Sequence, residues 1–421
     1  MLIADMVERL TDGTAPMRFE AYDGSGFGPA DSPMTLRLES ERGLRYLATA
    51  SGDLGMARAY IAGDLAIEGV HPGDPYEALK TLGQWRFRRP APRELAVLVR
   101  ELGWRRLVPP EPPPQETLPH WRRTAEGLRH SRRRDAESIG HHYDVSNAFY
   151  ERILGSSMAY TCAVFPKPDA SLEEAQEEKF DLVARKLELG PGMRLLDVGC
   201  GWGGMARHAA MHYGVSVVAV TLSGEQTRWA ADVIERAGLT SQVSILHADY
   251  RDAPGREYDA VSSIGLTEHV GVKNYPSYFS FLCAKLRDGG RLLNHCITRP
   301  SNKTRARTGE FTDRYVFPDG ELTGSGRIIT EAQNVGLEVR HEENLREHYA
   351  LTLAAWCQNL ERNWDGCVAE VGEATARVWG LYMAGSRIGF ETNFLQLHQV
   401  LAVKTAPGGD ASFPLRPTWL S

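Results

Sequence analysis

The segment 195–204 decides the fold, and it reads Leu-Leu-Asp-Val-Gly-Cys-Gly-Trp-Gly-Gly. The apolar residues 194–198 predict a buried strand, and a helix is expected to begin near Met205. The glycines between them suit a turn in which the backbone approaches a ligand closely, because glycine lacks a Cβ and tolerates positive φ. Such a unit opens a doubly wound sheet, in which ligands bind at the carboxyl ends of the strands. The motif alone also fits a plain strand–turn–helix connection without a ligand.

Strand-like and helix-like segments alternate through the rest of the C-terminal part. Apolar runs predict seven strands, at 194–198, 215–220, 243–247, 258–264, 290–298, 337–344 and 397–404. This alternation is typical of a mostly parallel sheet that is covered by helices on both faces. We therefore predict an α/β protein with a doubly wound, mostly parallel, seven-stranded sheet.

The 421 residues are enough for two domains. Period-two alternation at Met17–Tyr22 and Met34–Leu38 predicts half-buried strands, so residues 1–85 are interpreted as a small α+β accessory domain. Residues 86–135 form a connector rich in arginine and proline. The catalytic domain is expected to span 136–421.

The charge of the chain is distributed unevenly. Residues 86–134 contain thirteen Arg and five Glu, although the whole chain carries a net charge of -6. A local excess of this kind indicates an anionic partner, either a membrane surface or a nucleic acid. A solvated linker is the plain alternative. No run of about 18 apolar residues is present, so any membrane contact is expected to be peripheral.

The six cysteines show neither a Cys-x-x-Cys pair nor a zinc-like Cys/His spacing. We interpret them as reduced thiols of a cytoplasmic protein, and we expect no metal site.

Polar residues follow the first three predicted strands of the large sheet, at 197–204, 220–226 and 248–252. A ligand that contains adenosine needs a glycine-rich loop, polar groups for the ribose and a polar group for the adenine edge. The second strand does not end in an acidic residue, which argues against an NAD site.

Five motifs occur in a fixed order along residues 141–320. They read His-His-Tyr-Asp-Val-Ser-Asn-x-Phe-Tyr, Leu-Asp-Val-Gly-Cys-Gly-Trp-Gly-Gly, Val-Thr-Leu-Ser-x-Glu-Gln, Glu-His-Val-Gly and Tyr-Val-Phe-Pro-Asp-Gly. Together they resemble the cyclopropane fatty acid synthase family over about 136–404. The resemblance implies a class I S-adenosylmethionine (SAM) methyltransferase fold and methylation of an isolated cis double bond in a fatty acyl chain. The N-terminal part resembles the lipid-binding domain of family members that act on phospholipids.

The resemblance also implies two sets of site residues. The residues expected around SAM are Tyr160, Thr161, Gly199, Gly201, Thr221, Ser223, Gln226, Asp249 and Tyr250. Four further groups are expected to hold a bicarbonate ion that acts as the base: Cys162, Glu268, His295 and Tyr315. Taken without the family, these four also have plain interpretations as a buried thiol, a strand-end cap, a core histidine and a packing tyrosine.

One departure from the family pattern bears on the product. The family commonly has Phe before its Glu-His pair, whereas this chain has Thr267. The variant resembles the actinobacterial branch that makes 10-methylene-stearate, the precursor of tuberculostearic acid, so Thr267 is a candidate determinant of the product. Ring closure to a cyclopropane at the same double bond is the alternative.

The resemblance implies an unsaturated phospholipid substrate, an anionic membrane surface at the inner face of the membrane, and a flavin-dependent reductase that acts next. No nucleic acid is expected as a partner, and a homodimer is one permitted assembly. A small-molecule or nucleic-acid methyltransferase and a non-enzymatic lipid-binding protein remain the more distant alternatives.

Overall fold

The computed structural model describes residues 2–50, 52–88, 90–116, 146–303, 308–318, 320–417 and 419. Its contacts divide the chain into two units. The first unit comprises 1–118, 309–318 and 356–388, and the second comprises 119–308, 319–355 and 389–421. The His-His-Tyr-Asp-Val part of the first motif and the arginines of 117–135 lie outside the described residues.

The first unit contains a four-stranded sheet in the order β2-β1-β3-β4. Its strands are β1 (Arg18–Ala21), β2 (Gly26–Phe27), β3 (Thr35–Leu38) and β4 (Leu65–Glu68). Phe19 and Leu36 are buried and face each other across the parallel β1–β3 pair. The period-two alternation therefore predicted β1 and β3 correctly, because each alternate side chain enters the core. The helices are Ile3–Leu10, Glu41–Thr49, Asp53–Ile61, Tyr76–Leu82, Pro92–Leu102, Glu310–Tyr315 and Trp364–Val371.

The second unit contains a seven-stranded sheet in the order β10-β11-β9-β8-β5-β6-β7. Its strands are β5 (Arg194–Val198), β6 (Ser216–Thr221), β7 (Val243–His247), β8 (Tyr258–Ile264), β9 (Leu286–Thr298), β10 (Leu337–Asn344) and β11 (Gln396–Lys404). All seven predicted strands are present. The pairs from β9 through β8, β5 and β6 to β7 are parallel, whereas β11 is antiparallel to both neighbours.

Helices connect most strands of the second unit. They are Asn147–Leu154, Leu172–Lys186, Gly204–Tyr213, Gly224–Arg236, Thr267–Val270, Tyr275–Lys285 and Ser325–Asn334. Two longer helices, Arg346–Arg362 and Glu373–Glu391, contain residues of both units. The helical segment 346–391 is thus interrupted at Asn363 and Gly372. Along the described part of the chain, no helix has the length and apolar character that a membrane span requires.

Two late segments join the first unit instead of the rest of 136–421. Within 309–318, Arg314 pairs with the buried carboxylate of Glu116. Within 356–388, the Arg377 guanidinium donates to the carbonyl of Tyr60 at 2.8 Å. Contacts this distant along the chain leave no signal in local composition, so the sequence boundary at 136 did not anticipate them.

The helix Leu172–Lys186 begins with a capping box at Ser171. The Ser171 hydroxyl accepts from the Glu174 amide at 3.1 Å, and the Glu174 carboxylate accepts from the Ser171 amide at 2.8 Å. This fixed start determines which side chains face inward. Gln176, Lys179 and Lys186 are all fully buried, although each is polar.

Candidate active site

A cleft lies at the carboxyl ends of β5, β6 and β8, where a doubly wound sheet binds its ligands. It holds about 920 Å³ of empty space, counting its open mouth, which is within the range of cofactor sites. All of the residues predicted to surround SAM line this cleft except Ser223 and Asp249.

The glycine-rich turn after β5 lines the cleft. Gly199 and Gly201 have φ values of +75° and +54°, a region that side chains with a Cβ rarely adopt. A Cβ at Gly201 would meet no atom within 4 Å, so its backbone conformation explains this glycine. The amides of Gly199 and Cys200 both donate to the Val220 carbonyl, which ties the turn to the end of β6.

The turn after β6 contributes a fixed polar pair. The Thr221 hydroxyl donates to Gln226 Oε1 at 2.7 Å, and this bond orients the amide of Gln226. Ser223 caps the helix Gly224–Arg236 by accepting from the Gln226 amide at 3.2 Å. After β7, the Asp249 carboxylate pairs with the guanidinium of Arg251. Ser223 and Asp249 therefore have structural partners of their own.

Glu268 and His295 lie on neighbouring elements. His295 pairs in register with Ile264 at the end of β8, and Glu268 follows four residues later. Glu268 Oε1 accepts from the Ile297 amide at 2.7 Å, so the carboxylate lies against β9. Within the described residues, the buried atoms Glu268 Oε2 and His295 Nε2 have no hydrogen-bond partner. A buried polar atom without a protein partner is suited to a small polar ligand or a water molecule.

A chain of three residues fixes the imidazole of His295. Lys186 contacts Glu343 and donates to Gln399 Oε1 at 2.7 Å. Because that oxygen is occupied by the ammonium, the Gln399 amide nitrogen faces His295 Nδ1, at 3.2 Å. His295 Nδ1 must then accept, and the ring proton resides on Nε2.

Burial sets the protonation states of the two groups. It raises the pKa of Glu268 to about 7, against the opposing bond from the Ile297 amide. Burial, together with the ammonium groups of Lys179 and Lys186, lowers the pKa of His295 well below its usual range. Near neutral pH the imidazole is therefore an uncharged donor through Nε2, and Glu268 exchanges a proton easily.

Cys162 and Tyr315 differ from this pair. The Cys162 thiol is buried, lies 3.2 Å from the Ala163 carbonyl oxygen, and has a pKa that burial raises above its usual range. It is therefore a thiol and not a thiolate. Tyr315 belongs to the first unit, and its hydroxyl donates to the Glu116 carboxylate at 3.0 Å.

Thr267 is fully buried and takes part in a polar network. Its hydroxyl accepts from the Asn294 amide nitrogen at 2.5 Å, and its carbonyl accepts from the Tyr275 hydroxyl at 3.4 Å. A small hydroxyl, and not an aromatic ring, thus precedes Glu268.

Sequence reasoning did not single out Lys179, Lys186 or Gln399. The signal available for the lysines was their spacing with Gln176 and Val183 at i, i+3, i+7 and i+10, which is one face of a helix. Because apolar residues such as Leu172, Ala175 and Leu182 flank this face, its lysines are expected to be buried with partners. No comparable local signal marked Gln399.

We predict that Glu268→Gln stabilises the protein at alkaline pH. The glutamate binds its proton more tightly folded than unfolded, because its pKa rises from 4.5 to about 7. Folding stability therefore falls as pH rises through this window, by about 3 kcal/mol. Urea unfolding in bicarbonate-free buffer should show the advantage of the variant growing between pH 4 and pH 8. An advantage that stays constant with pH, as expected for the exposed control Glu151→Gln, would contradict the assignment.

We also predict that Gln399→Leu removes the tautomer preference of His295. The leucine has no amide to donate to Nδ1, so both neutral tautomers become accessible. Nitrogen-15 NMR of labelled histidine side chains measures the tautomer directly. His348 is an internal control, because its Nδ1 accepts from the Phe165 amide at 3.0 Å and should keep its signal. An unchanged His295 signal in the variant would show that Gln399 does not set the tautomer.

Comparison with known proteins identifies the family. The family model described as mycolic acid cyclopropane synthetase matches residues 130–400. A probable fatty acid methyltransferase of Mycobacterium tuberculosis is 61% identical over 99% of this chain and 98% of its own length. A tuberculostearic acid methyltransferase of the same organism is 31% identical over 96% of this chain and 92% of its own length.

Among solved structures, a mycolic acid cyclopropane synthase complexed with S-adenosylhomocysteine (SAH) and CTAB is 30% identical, with a TM-score of 0.60. The match covers 63% of this chain and 97% of that one, and it confirms the predicted class I SAM-methyltransferase fold. This chain therefore belongs to the cyclopropane synthase family of SAM-dependent enzymes that modify fatty acids.

Proposed function

We propose that this enzyme transfers the methyl group of SAM to the cis double bond of an oleoyl chain in a phospholipid and forms a 10-methylene-stearoyl product. The observation that carries the proposal is the pair of buried, unpartnered atoms, Glu268 Oε2 and His295 Nε2, in the unit that contains the cofactor cleft. A proton must be removed after methyl transfer, and these two atoms are suited to hold the group that removes it.

The proposed reaction consists of methyl transfer, a hydride shift and the loss of a proton. The double bond attacks the sulfonium methyl group, a new bond forms at C10, SAH leaves, and a cation remains at C9. A hydride moves from C10 to C9, and the cation moves to C10. Loss of one proton from the new methyl group then gives the exocyclic methylene. An isolated alkene is a weak nucleophile, so the enzyme must supply proximity and orientation in a dry site.

The residues around this base site fit a bicarbonate ion. The Nε2–H of His295 donates, and Glu268 donates through Oε2 when it is protonated, as its pKa of about 7 allows. Two donors in a buried site match the oxygens of a small anion. A bound bicarbonate would supply the base for the final proton. Cys162 offers a thiol donor, and the role of Tyr315 stays a prediction from the resemblance.

Thr267 supports the methylene product over the cyclopropane. An aromatic face beside the carboxylate would stabilise the first cation where it forms and favour ring closure there. Thr267 presents a hydroxyl that is already bonded to Asn294. Similarity over nearly the full chain to a protein named tuberculostearic acid methyltransferase is consistent with this product. A separate flavin-dependent reductase would then complete the branched chain.

We predict vinylidene proton signals when the protein is incubated with SAM and dioleoyl phospholipid vesicles and the released fatty acids are analysed by proton NMR. Mass alone does not separate the two products, because they are isomers. Thr267→Phe should shift the product ratio toward cyclopropane by about fivefold, since a cation–π contact is worth on the order of 1 kcal/mol. Thr267→Val controls for loss of the hydroxyl.

High-field cyclopropane signals from the wild-type protein would replace the methylene proposal with the alternative. Absence of any lipid product, with SAH still bound, would redirect the search to small-molecule or nucleic-acid substrates. Folding of Thr267→Phe must be verified by its melting temperature, because overpacking a buried site costs about 1–3 kcal/mol.

We further propose that the segment 86–108 of the first unit binds the surface of an anionic membrane. Five of its large apolar side chains are exposed: Phe87, Val97, Val99, Trp104 and Val108. Exposed arginines alternate with them at positions 86, 93, 100 and 105. Trp104 is 72% exposed, and the Arg105 guanidinium lies 5.7 Å from its ring centroid. Tryptophan and arginine together are typical of membrane interfaces.

We predict that Arg100→Glu/Arg105→Glu weakens binding to phosphatidylglycerol vesicles at least tenfold, because each basic residue near such a surface contributes about 1 kcal/mol. Wild-type binding should also weaken between 50 and 500 mM salt. Vesicle cosedimentation measures both effects. Arg256→Glu, at an exposed arginine of the second unit, is the matched control. Binding that neither variant nor salt alters would refute this surface.

A further inference from the structure

A second buried lysine of the helix Leu172–Lys186 lines the cofactor cleft. Lys179 is fully buried, and its side chain borders the cleft beside Thr161 and Gly199. Its ammonium donates to Thr161 Oγ1 at 2.9 Å and lies 4.1 Å from the Phe180 ring centroid. In the described part of the chain, no carboxylate oxygen lies within 4.0 Å of this ammonium.

Lys186 lies seven residues further along the same face and is a buried lysine whose ammonium has acceptors within the protein. It contacts the carboxylate of Glu343 and the amide oxygen of Gln399. Lys179 has one neutral hydroxyl and an aromatic face instead. A buried ammonium is costly unless an anion or several acceptors surround it. The open donors of Lys179 therefore lack an anionic partner among the described residues, and a ligand in the cleft can provide one.

The charged and titratable groups that face Lys179 are Cys162, Asp197 and His295. Cys162 is an uncharged thiol and His295 an uncharged imidazole, for the reasons given above. Asp197 lines the same cleft, and its Oδ1 accepts from the Ser262 hydroxyl at 2.6 Å, whereas its buried Oδ2 has no partner in the described residues. The cleft thus contains one cation and one acidic group that do not pair with each other.

SAM carries a single anionic group, the α-carboxylate of its methionine moiety. Its sulfonium and α-amino groups are positive, and its adenine and ribose are uncharged. The carboxylate is the one group of SAM that can pair with the ammonium of Lys179 as an anion, and Asp197 Oδ2 offers an acceptor for the adjacent amino group. A cation and an acid in one cleft match an amino-acid zwitterion.

We propose that Lys179 binds the α-carboxylate of SAM and of SAH and takes up a proton when the cofactor enters. The inference rests on the cleft being the SAM site. Burial lowers the pKa of Lys179 to about 7 in the free protein, so above this pH the amine is largely uncharged. A carboxylate placed against it raises the pKa and recruits a proton.

The experiment is a calorimetric cycle with two ligands and two proteins. The ligands are SAH and its analogue that lacks only the carboxylate, and the proteins are the wild type and Lys179→Met. Methionine keeps the length and burial of the side chain without its charge. We expect the variant to bind SAH about 10–100-fold more weakly, the range for a charge-assisted hydrogen bond, and the analogue within about twofold of the wild type. Lys303→Met, at an exposed lysine, is the matched control.

A second measurement follows the uptake of the proton directly. Titration of the wild type with SAH at pH 8, in two buffers of different ionisation enthalpy, should reveal uptake of most of one proton, which Lys179→Met should abolish. Equal losses for both ligands would show that Lys179 only supports the fold and would overturn the proposal, as would undiminished SAH affinity in the variant. Failure of the wild type to bind SAH would instead overturn the cofactor assignment of the cleft, together with this inference.

Discussion

The bond between the Lys186 ammonium and the Gln399 side chain organises the polar interior of the second unit. An ammonium with no exposed surface needs acceptors, and Glu343 and Gln399 Oε1 provide them. That requirement determines which end of the Gln399 amide faces β9. The orientation of one amide then determines the tautomer of His295, and so the atom through which this imidazole meets a ligand. The need of the Lys186 ammonium for acceptors thus determines the tautomer of His295 on β9.

Seven residues earlier on the same helix, a second buried lysine lacks such acceptors. Lys179 lies on the same face, but the polypeptide leaves its ammonium with a hydroxyl and an aromatic ring. The ammonium of Lys186 has its hydrogen-bond acceptors within the protein and so holds Gln399 in place. The ammonium of Lys179 has fewer acceptors, which leaves donors that a ligand can bind. Burial alone therefore does not determine the role of a lysine; the number of acceptors around it does.

The sequence predicted the fold well because its signals were local. The seven strands followed from apolar runs. The cofactor cleft was predictable for the same reason, since its glycine turn immediately follows β5. The burial of Lys179 was visible only as a helical spacing.

Other features depended on contacts far apart in the sequence. Lys186 and Gln399 are 213 residues apart, and neither residue type indicates the other. Glu116 and Tyr315 are 199 residues apart, and their bond helps to assign 309–318 to the first unit. Their side chains have many possible partners, and only tertiary packing selects one. Local patterns predicted elements, therefore, but not the polar pairs that set protonation states.

In the proposed reaction, the protonation states of these groups also suit the site to a cation on the acyl chain. A carbocation reacts with any exposed lone pair, so the site must present few. Burial keeps Cys162 as a thiol, which is a much weaker nucleophile than a thiolate. The donor from Gln399 occupies the Nδ1 lone pair of His295 and leaves a proton on Nε2. Glu268 Oε1 is engaged by the Ile297 amide, and the protonated Oε2 is the atom proposed to donate to bicarbonate. The desolvation that shifts these pKa values thus also removes competing nucleophiles, so that proton loss becomes the favoured fate of the cation.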